Sequence, residues 1–158
     1  KSYSMTGWRI GYAAGPKEII KAIAKIQSQS TSNPTSISQA AAVEALNGTQ
    51  SFIKERADSF KKRRDFVVDS LNQIEGISCL RPEGAFYVFP NCKKLLGKKT
   101  KIKNDKDFVE KLLVKSQVAV VQGSAFGLDG YFRISYATSI DNLKKAMERI
   151  KSFCNSLI

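Results

Sequence analysis

One stripe of apolar residues divides this chain. Phe52, Ile53, Ala57, Phe60, Val67, Leu71 and Ile74 recur on one side of a helical projection, with Lys54, Glu55, Lys61 and Lys62 among the residues between them. At 1.5 Å per residue, a helix over 52–74 reaches roughly 34 Å, enough to bridge two domains. Glu75-Gly76 ends it. The rest of the chain must therefore be built on either side of this helix.

Upstream, residues 8–14 predict a strand that ends at Gly15-Pro16. Pro16 suits the first turn of a helix, where its missing N–H costs nothing. Ile19, Ile20, Ile23 and Ile26 then recur at helical spacing over 17–29. A polar turn runs from Ser28 to Pro34, and residues 36–46 predict an Ala-rich helix stopped by Asn47-Gly48. One strand and two helices are too few to make a sheet. This part is expected to need elements that these 158 residues do not contain.

Downstream the pattern is α+β. Ile77–Leu80 and Ala85–Phe89 predict short strands, and Lys93–Lys106 predicts a Lys-dense loop. Phe108, Val109, Leu112 and Leu113 mark an amphipathic helix, followed by strands at Val118–Val121 and Tyr131–Ala137. Ser139 is a good N-cap for a last helix with the stripe Ile140, Leu143, Met147, Ile150, Cys154 and Leu157. The chain opens on Lys1 and has its first Met at position 5, so a portion of a longer protein is expected.

Charge and histidine content narrow the chemistry. Lys and Arg number 26 against 14 Asp and Glu, a net charge of +12, and there is no histidine. That removes Ser-His-Asp and Cys-His pairs, His-containing zinc sites and the HExxH helix. Proton transfer must fall to Lys, Tyr, Asp, Glu or Cys. Cys79, Cys92 and Cys154 are odd in number and lack metal-ligand spacing, which predicts reduced, buried thiols in a cytoplasmic protein. No apolar run approaches the roughly 18 residues that span a bilayer, and no membrane partner is expected. The basic excess also fits a nucleic-acid or anionic-surface binder, with Lys93, Lys94, Lys98, Lys99, Lys101, Lys103 and Lys106 as its densest region. That region has no interleaved aromatics, so a solvated loop explains it better and no nucleic acid is expected.

Three segments carry chemistry. Residues 1–12 read KSYSMTGWRIGY, placing a lysine eight residues before an arginine with Gly7 and Gly11 nearby. Residues 123–137 read GSAFGLDGYFRISYA, with Arg133 inside an apolar strand. A buried arginine without a counter-charge is expensive, so Arg133 should meet an anion: a structural carboxylate or a ligand. Gly84-Ala85-Phe86-Tyr87 is the third segment. Read alone, Lys1 and Arg9 are equally solvated or ion-paired surface charges, Tyr3 and Trp8 are packing residues, and Asn33 is an ordinary turn residue.

Together, and in their order along the chain, the segments resemble the class I aminotransferases among fold-type-I pyridoxal-phosphate enzymes, most closely the aspartate aminotransferase branch of bacteria and plants. The resemblance covers essentially the whole chain. It implies an α/β fold in which this chain supplies the end of the large-domain sheet and an α+β small C-terminal domain joined by a long helix. The corresponding divisions are 1–50, 51–75 and 76–158.

The resemblance also implies roles. Lys1 would form the Schiff base with pyridoxal 5'-phosphate and then act as general acid and base. Arg9 would bind the cofactor phosphate, and Asn33 would reach the neighbouring subunit's phosphate. Arg133 would grip the substrate α-carboxylate beside Phe86. Arginine suits both anions because its planar fork makes bidentate bonds. The implied activity is transamination between an amino acid, aspartate, and a 2-oxo acid, 2-oxoglutarate, by a cytoplasmic homodimer. A related prephenate or aromatic aminotransferase is the alternative. In the family the residues that meet the pyridine ring precede the lysine, so this chain alone is expected to be inactive.

Overall fold

In the computed structural model, which describes residues 1–158, Pro16 stands at the N-cap of helix α1 (Lys17–Ser30), one residue ahead of its first turn. The helix stops where the amides of Thr31 and Ser32 both donate to the Gln27 carbonyl, Ser32 taking a left-handed φ of 63°. Thr35 caps α2 (Ser36–Asn47), its hydroxyl accepting from the Ser38 amide at 3.3 Å. Helix α3 (Ser51–Asn72) follows where the stripe predicted it. Two compact units result, Lys1–Arg56 and Ala57–Ile158.

In the first unit the chain opens on a turn closed by the Ser4 amide on the Lys1 carbonyl, then a single 3-10 turn, Thr6–Trp8. Of the residues of α1 and α2, only Ser38 is buried. Ile19, Ile23 and Ile26 stand exposed along α1.

The second unit holds the hydrophobic core. A three-stranded antiparallel sheet has the order β1 (Tyr87–Val88), β3 (Phe132–Ser135), β2 (Val121–Gln122). Tyr87 pairs with Ser135, and Val121 pairs with Arg133. Along β3 the alternation is strict: Phe132 and Ile134 are buried in the core, and Arg133 and Ser135 stand on the other face. Helices α4 (Asp105–Ser116) and α5 (Ile140–Asn155) complete the unit, capped by Asn104 and Ser139. Phe108 of α4 lies 5.1 Å from the Phe132 ring and 5.4 Å from Phe153 of α5. Each fully buried side chain of this size contributes about 1.5–3 kcal/mol.

Two expected strands are missing, for different reasons. Residues 8–14 form no strand, because the first unit offers no neighbouring strand to take their backbone groups. Residues 77–80 reduce to one bridge between Ser78 and Asn91. Here the Asn72 side chain substitutes for a strand: it accepts from the Cys79 amide at 2.8 Å and donates to the Cys79 carbonyl at 3.0 Å. The Lys-dense stretch is more ordered than a simple loop. Leu95 and Ile102 anchor it in the core, Gly97 bridges Ile102, and α4 begins at Asp105.

Candidate active site

Arg9 is placed by backbone geometry. Its left-handed φ of 52° closes the Thr6–Trp8 turn, and its amide and one guanidinium N–H both reach the Thr6 carbonyl. Such a φ costs a non-glycine residue roughly 1–2 kcal/mol, so tertiary contacts must hold it. Ser38 supplies one, its hydroxyl donating to the Trp8 carbonyl at 2.8 Å while accepting from the Thr35 hydroxyl. The turn and the start of α2 then enclose an open cleft of about 520 Å³ lined by Ser4, Gly7, Trp8, Arg9, Thr35 and Ser38.

The cleft offers one guanidinium and three hydroxyls, with no carboxylate among its lining residues. Ser4 already accepts from Arg56 at 3.1 Å, which adds a second cation. The Ser38 and Thr35 protons are already committed, to the Trp8 carbonyl and to Ser38, so the donors open to a ligand are the Arg9 guanidinium and the Ser4 hydroxyl, a pair that suits a phosphate group. Of the three residues singled out in this unit, Arg9 lines the cleft. Lys1 begins the same opening turn, its carbonyl bonded to the Ser4 amide. Asn33 sits in the exposed turn between α1 and α2, two residues before Thr35, and is not part of the lining. Thr35 and Ser38 were not singled out. The readable signal was a Thr directly before a helix, the mark of an N-cap.

Arg133 occupies a different setting, in the second unit. It is half-buried on β3 and makes no ion pair within that unit, where Arg64 and Arg81 pair with Asp65 and Asp69, and Lys106 and Lys111 pair along α4. Two rings flank its guanidinium instead: Tyr87 and Phe126, each with its centroid 4.4 Å from Cζ. Phe126 ends a 3-10 turn, Gly123–Phe126, and meets Phe89 edge-on at 5.9 Å. Gly123 is required there, because a Cβ would fall 2.3 Å from the Leu128 carbonyl oxygen. Asp105 pins the turn by accepting from the Ser124 amide at 2.7 Å.

Phe86 lies next to this arrangement, 4.6 Å from Tyr87 and 6.2 Å from Phe60. Buried Tyr136 holds its segment twice, donating its amide to the Phe86 carbonyl and its hydroxyl to the Ala85 carbonyl. The thiols are free and buried, and burial pushes Cys79 up to about 11 and Cys92 and Cys154 up to about 12. They are therefore protonated and unreactive at neutral pH. Asp105 has no signal in the sequence, whereas Tyr87 closes the Gly84–Tyr87 segment and Phe126 lies within the GSAFG run, both without a role of their own there.

Comparison with known proteins gives a consistent result. Residues 1–150 match the family model described as "Aminotransferase class I and II". "Aspartate aminotransferase" of Rhizobium meliloti (strain 1021) is 60% identical over 161 residues, covering 99% of this chain and 39% of that protein. "Probable aspartate/prephenate aminotransferase" of Rickettsia typhi is likewise 60% identical, covering 99% and 40%. The crystal structure of the aspartate aminotransferase from Rhizobium meliloti superposes with a TM-score of 0.86 at 60% identity, over 98% of this chain and 40% of that one. The chain thus spans about 40% of the length of these relatives.

Proposed function

The chain belongs to the class I and II aminotransferases, and on that premise we propose that the protein containing it is a pyridoxal-phosphate-dependent aminotransferase, exchanging the amino group of aspartate with the oxo group of 2-oxoglutarate. The observation that carries the reading is that Arg9 and Arg133 each lack an acidic partner within their own unit, Arg9 lining a cleft without carboxylates and Arg133 lying between two rings that leave its N–H edge open.

Arg9, with the Ser4 hydroxyl, would hold the cofactor phosphate, in a cleft that Thr35 and Ser38 brace. Lys1 Nζ would hold the cofactor covalently, and Asn33 would approach the partner subunit's phosphate. The cofactor, when bound, supplies an electron sink for the substrate's Cα. Arg133 grips the substrate α-carboxylate with its planar fork, fixing which Cα bond is presented for cleavage, and Phe86 forms an apolar wall beside it. Lys1 Nζ, once the substrate's amino group has displaced it from the cofactor, would take the proton from Cα and later return it, which is why the chain needs no histidine. We assign 1–50 to the large domain, 51–75 to the linking helix and 76–158 to the small domain. The functional unit is a cytoplasmic homodimer, an assignment that the reduced, buried thiols suit.

The test is turnover by the intact protein of aspartate with 2-oxoglutarate. Lys1→Ala is expected to cut transamination by several orders of magnitude, and near-normal turnover in that variant would sink the assignment. Prephenate is the second oxo acid to assay, because the similar protein of Rickettsia typhi is named for both substrates. Faster amino transfer to prephenate than to 2-oxoglutarate would select that reading.

A further inference from the structure

Arg133 has a long, rotamer-rich side chain, yet no carboxylate in its unit holds it. Its restraint comes from two aromatic rings at 4.4 Å. A ring face attracts the cation without using its N–H donors, so the forked edge stays available to a ligand. A structural carboxylate would occupy that edge.

Both rings are themselves fixed. Tyr87 pairs with Ser135, which puts it on the same sheet face as Arg133, one diagonal step away. Phe126 rides on the turn that Asp105 pins through Ser124. That turn is closed by the Gly127 amide on Ser124 O at 3.1 Å and by the Leu128 amide on Gly123 O at 3.1 Å. Asp105 is the one charged residue of the chain that is buried, and it stands behind this turn.

We propose that Tyr87 and Phe126 are positioning residues for Arg133: their rings hold the guanidinium in one orientation, with its N–H edge presented to an incoming carboxylate. This rests on the reading of Arg133 as a carboxylate receptor. The rings restrict the approach to one that meets the fork edge-on, so they favour planar, bidentate carboxylates over other anions of equal charge.

The experiment measures the dissociation constant of maleate, a dicarboxylate with no amino or oxo group to exchange, by calorimetry on the intact, cofactor-loaded protein. Tyr87→Leu and Phe126→Leu are each expected to weaken maleate about tenfold, while Tyr87→Phe and Phe126→Tyr, which keep a ring, return it to within about twofold of wild type. Phe126 is 48% exposed, so its truncation spares the core, and a melting curve on each variant checks this. Arg133→Ala separates the two levels of the argument. If it abolishes maleate binding while the leucine variants bind like wild type, the positioning role is overturned and the reading of Arg133 survives. If Arg133→Ala itself binds maleate like wild type, the reading of Arg133 fails. Equal weakening in the leucine and ring-keeping variants also overturns the positioning role, since the ring would then not be what matters.

Discussion

Asp105 is a carboxylate at 3% exposure with no ion pair, and backbone amides carry its charge. Burial, the largest single influence, pushes its pKa up. Hydrogen bonds from Ser124, from its own backbone and from Gly130 together outweigh burial and hold it below the usual carboxylate range. The folded state therefore binds this proton less tightly than the unfolded chain does. The resulting stability is fully present above the ordinary value of about 4 and is lost as pH falls through the lower folded value. Asp105→Ala leaves the Ser124 amide without its acceptor and is expected to cost about 1–3 kcal/mol near neutral pH. Urea midpoints measured from about pH 7 down to about pH 2 should show the variant's deficit shrinking toward the acid end. A constant deficit would mean that lost packing, not the charge, sets the cost. Asp65, beside the Arg64 side chain, and Asp107, on the Lys103 amide, are also held low, so the variant keeps part of the acid slope. None of this was readable in the sequence, because the amide that Asp105 serves lies 19 residues further on. Arg133 was readable because an arginine inside FRISYA breaks an apolar strand pattern, but nothing in the spacing tells that Phe126 of the same segment folds back beside it or that Tyr87 of a distant strand takes its other side.

At the scale of elements, helices and strands differed in how much their own residues announce them. All five helices exist where the composition and apolar spacing put them, because helical hydrogen bonds are internal to the segment, although α4 starts at Asp105, inside the stretch read as a loop, and α3 ends at Asn72, short of Ile74. The strands are two to four residues long and exist only through their partners. Residues 8–14 and 77–80 have strand-like composition, but the first lacks a partner in its unit and the Asn72 side chain pairs with the second. Helix α5 tests the point about local signals. Ser139 accepts from the Asn142 amide at 3.2 Å, and the helix it starts buries Leu143, Met147, Ile150, Phe153 and Cys154. Ser139→Ala is expected to cost about 1 kcal/mol and Ser139→Asp almost nothing, since Asp can cap in the same way. Thermal melts of the two variants check this, and equal losses would show that the cap is not what Ser139 provides.

At the scale of the whole molecule, the two units differ in what holds them together. The second has a continuous core, with Val67, Leu71, Phe108, Leu112, Phe132 and Ile150 at 0% exposure. The first has two helices with one buried residue, Ser38, between them, and leaves Ile26 at 71% and Ile37 at 73% exposure. Helices of 14 and 12 residues are marginal in water without a packed face. In the 158-residue chain, amide hydrogen exchange should therefore be fast across α1 and α2 and slow in α4, β3 and α5. The relatives are about two and a half times as long as the aligned part, and in the full-length protein we expect the apolar face of α1 to be covered. Its amides should then gain protection toward that of α5, while those of α5 change little. Protection of α1 in the short chain equal to that of α5 would show that the first unit is stable on its own, and would remove the reason to expect the rest of the protein against that face.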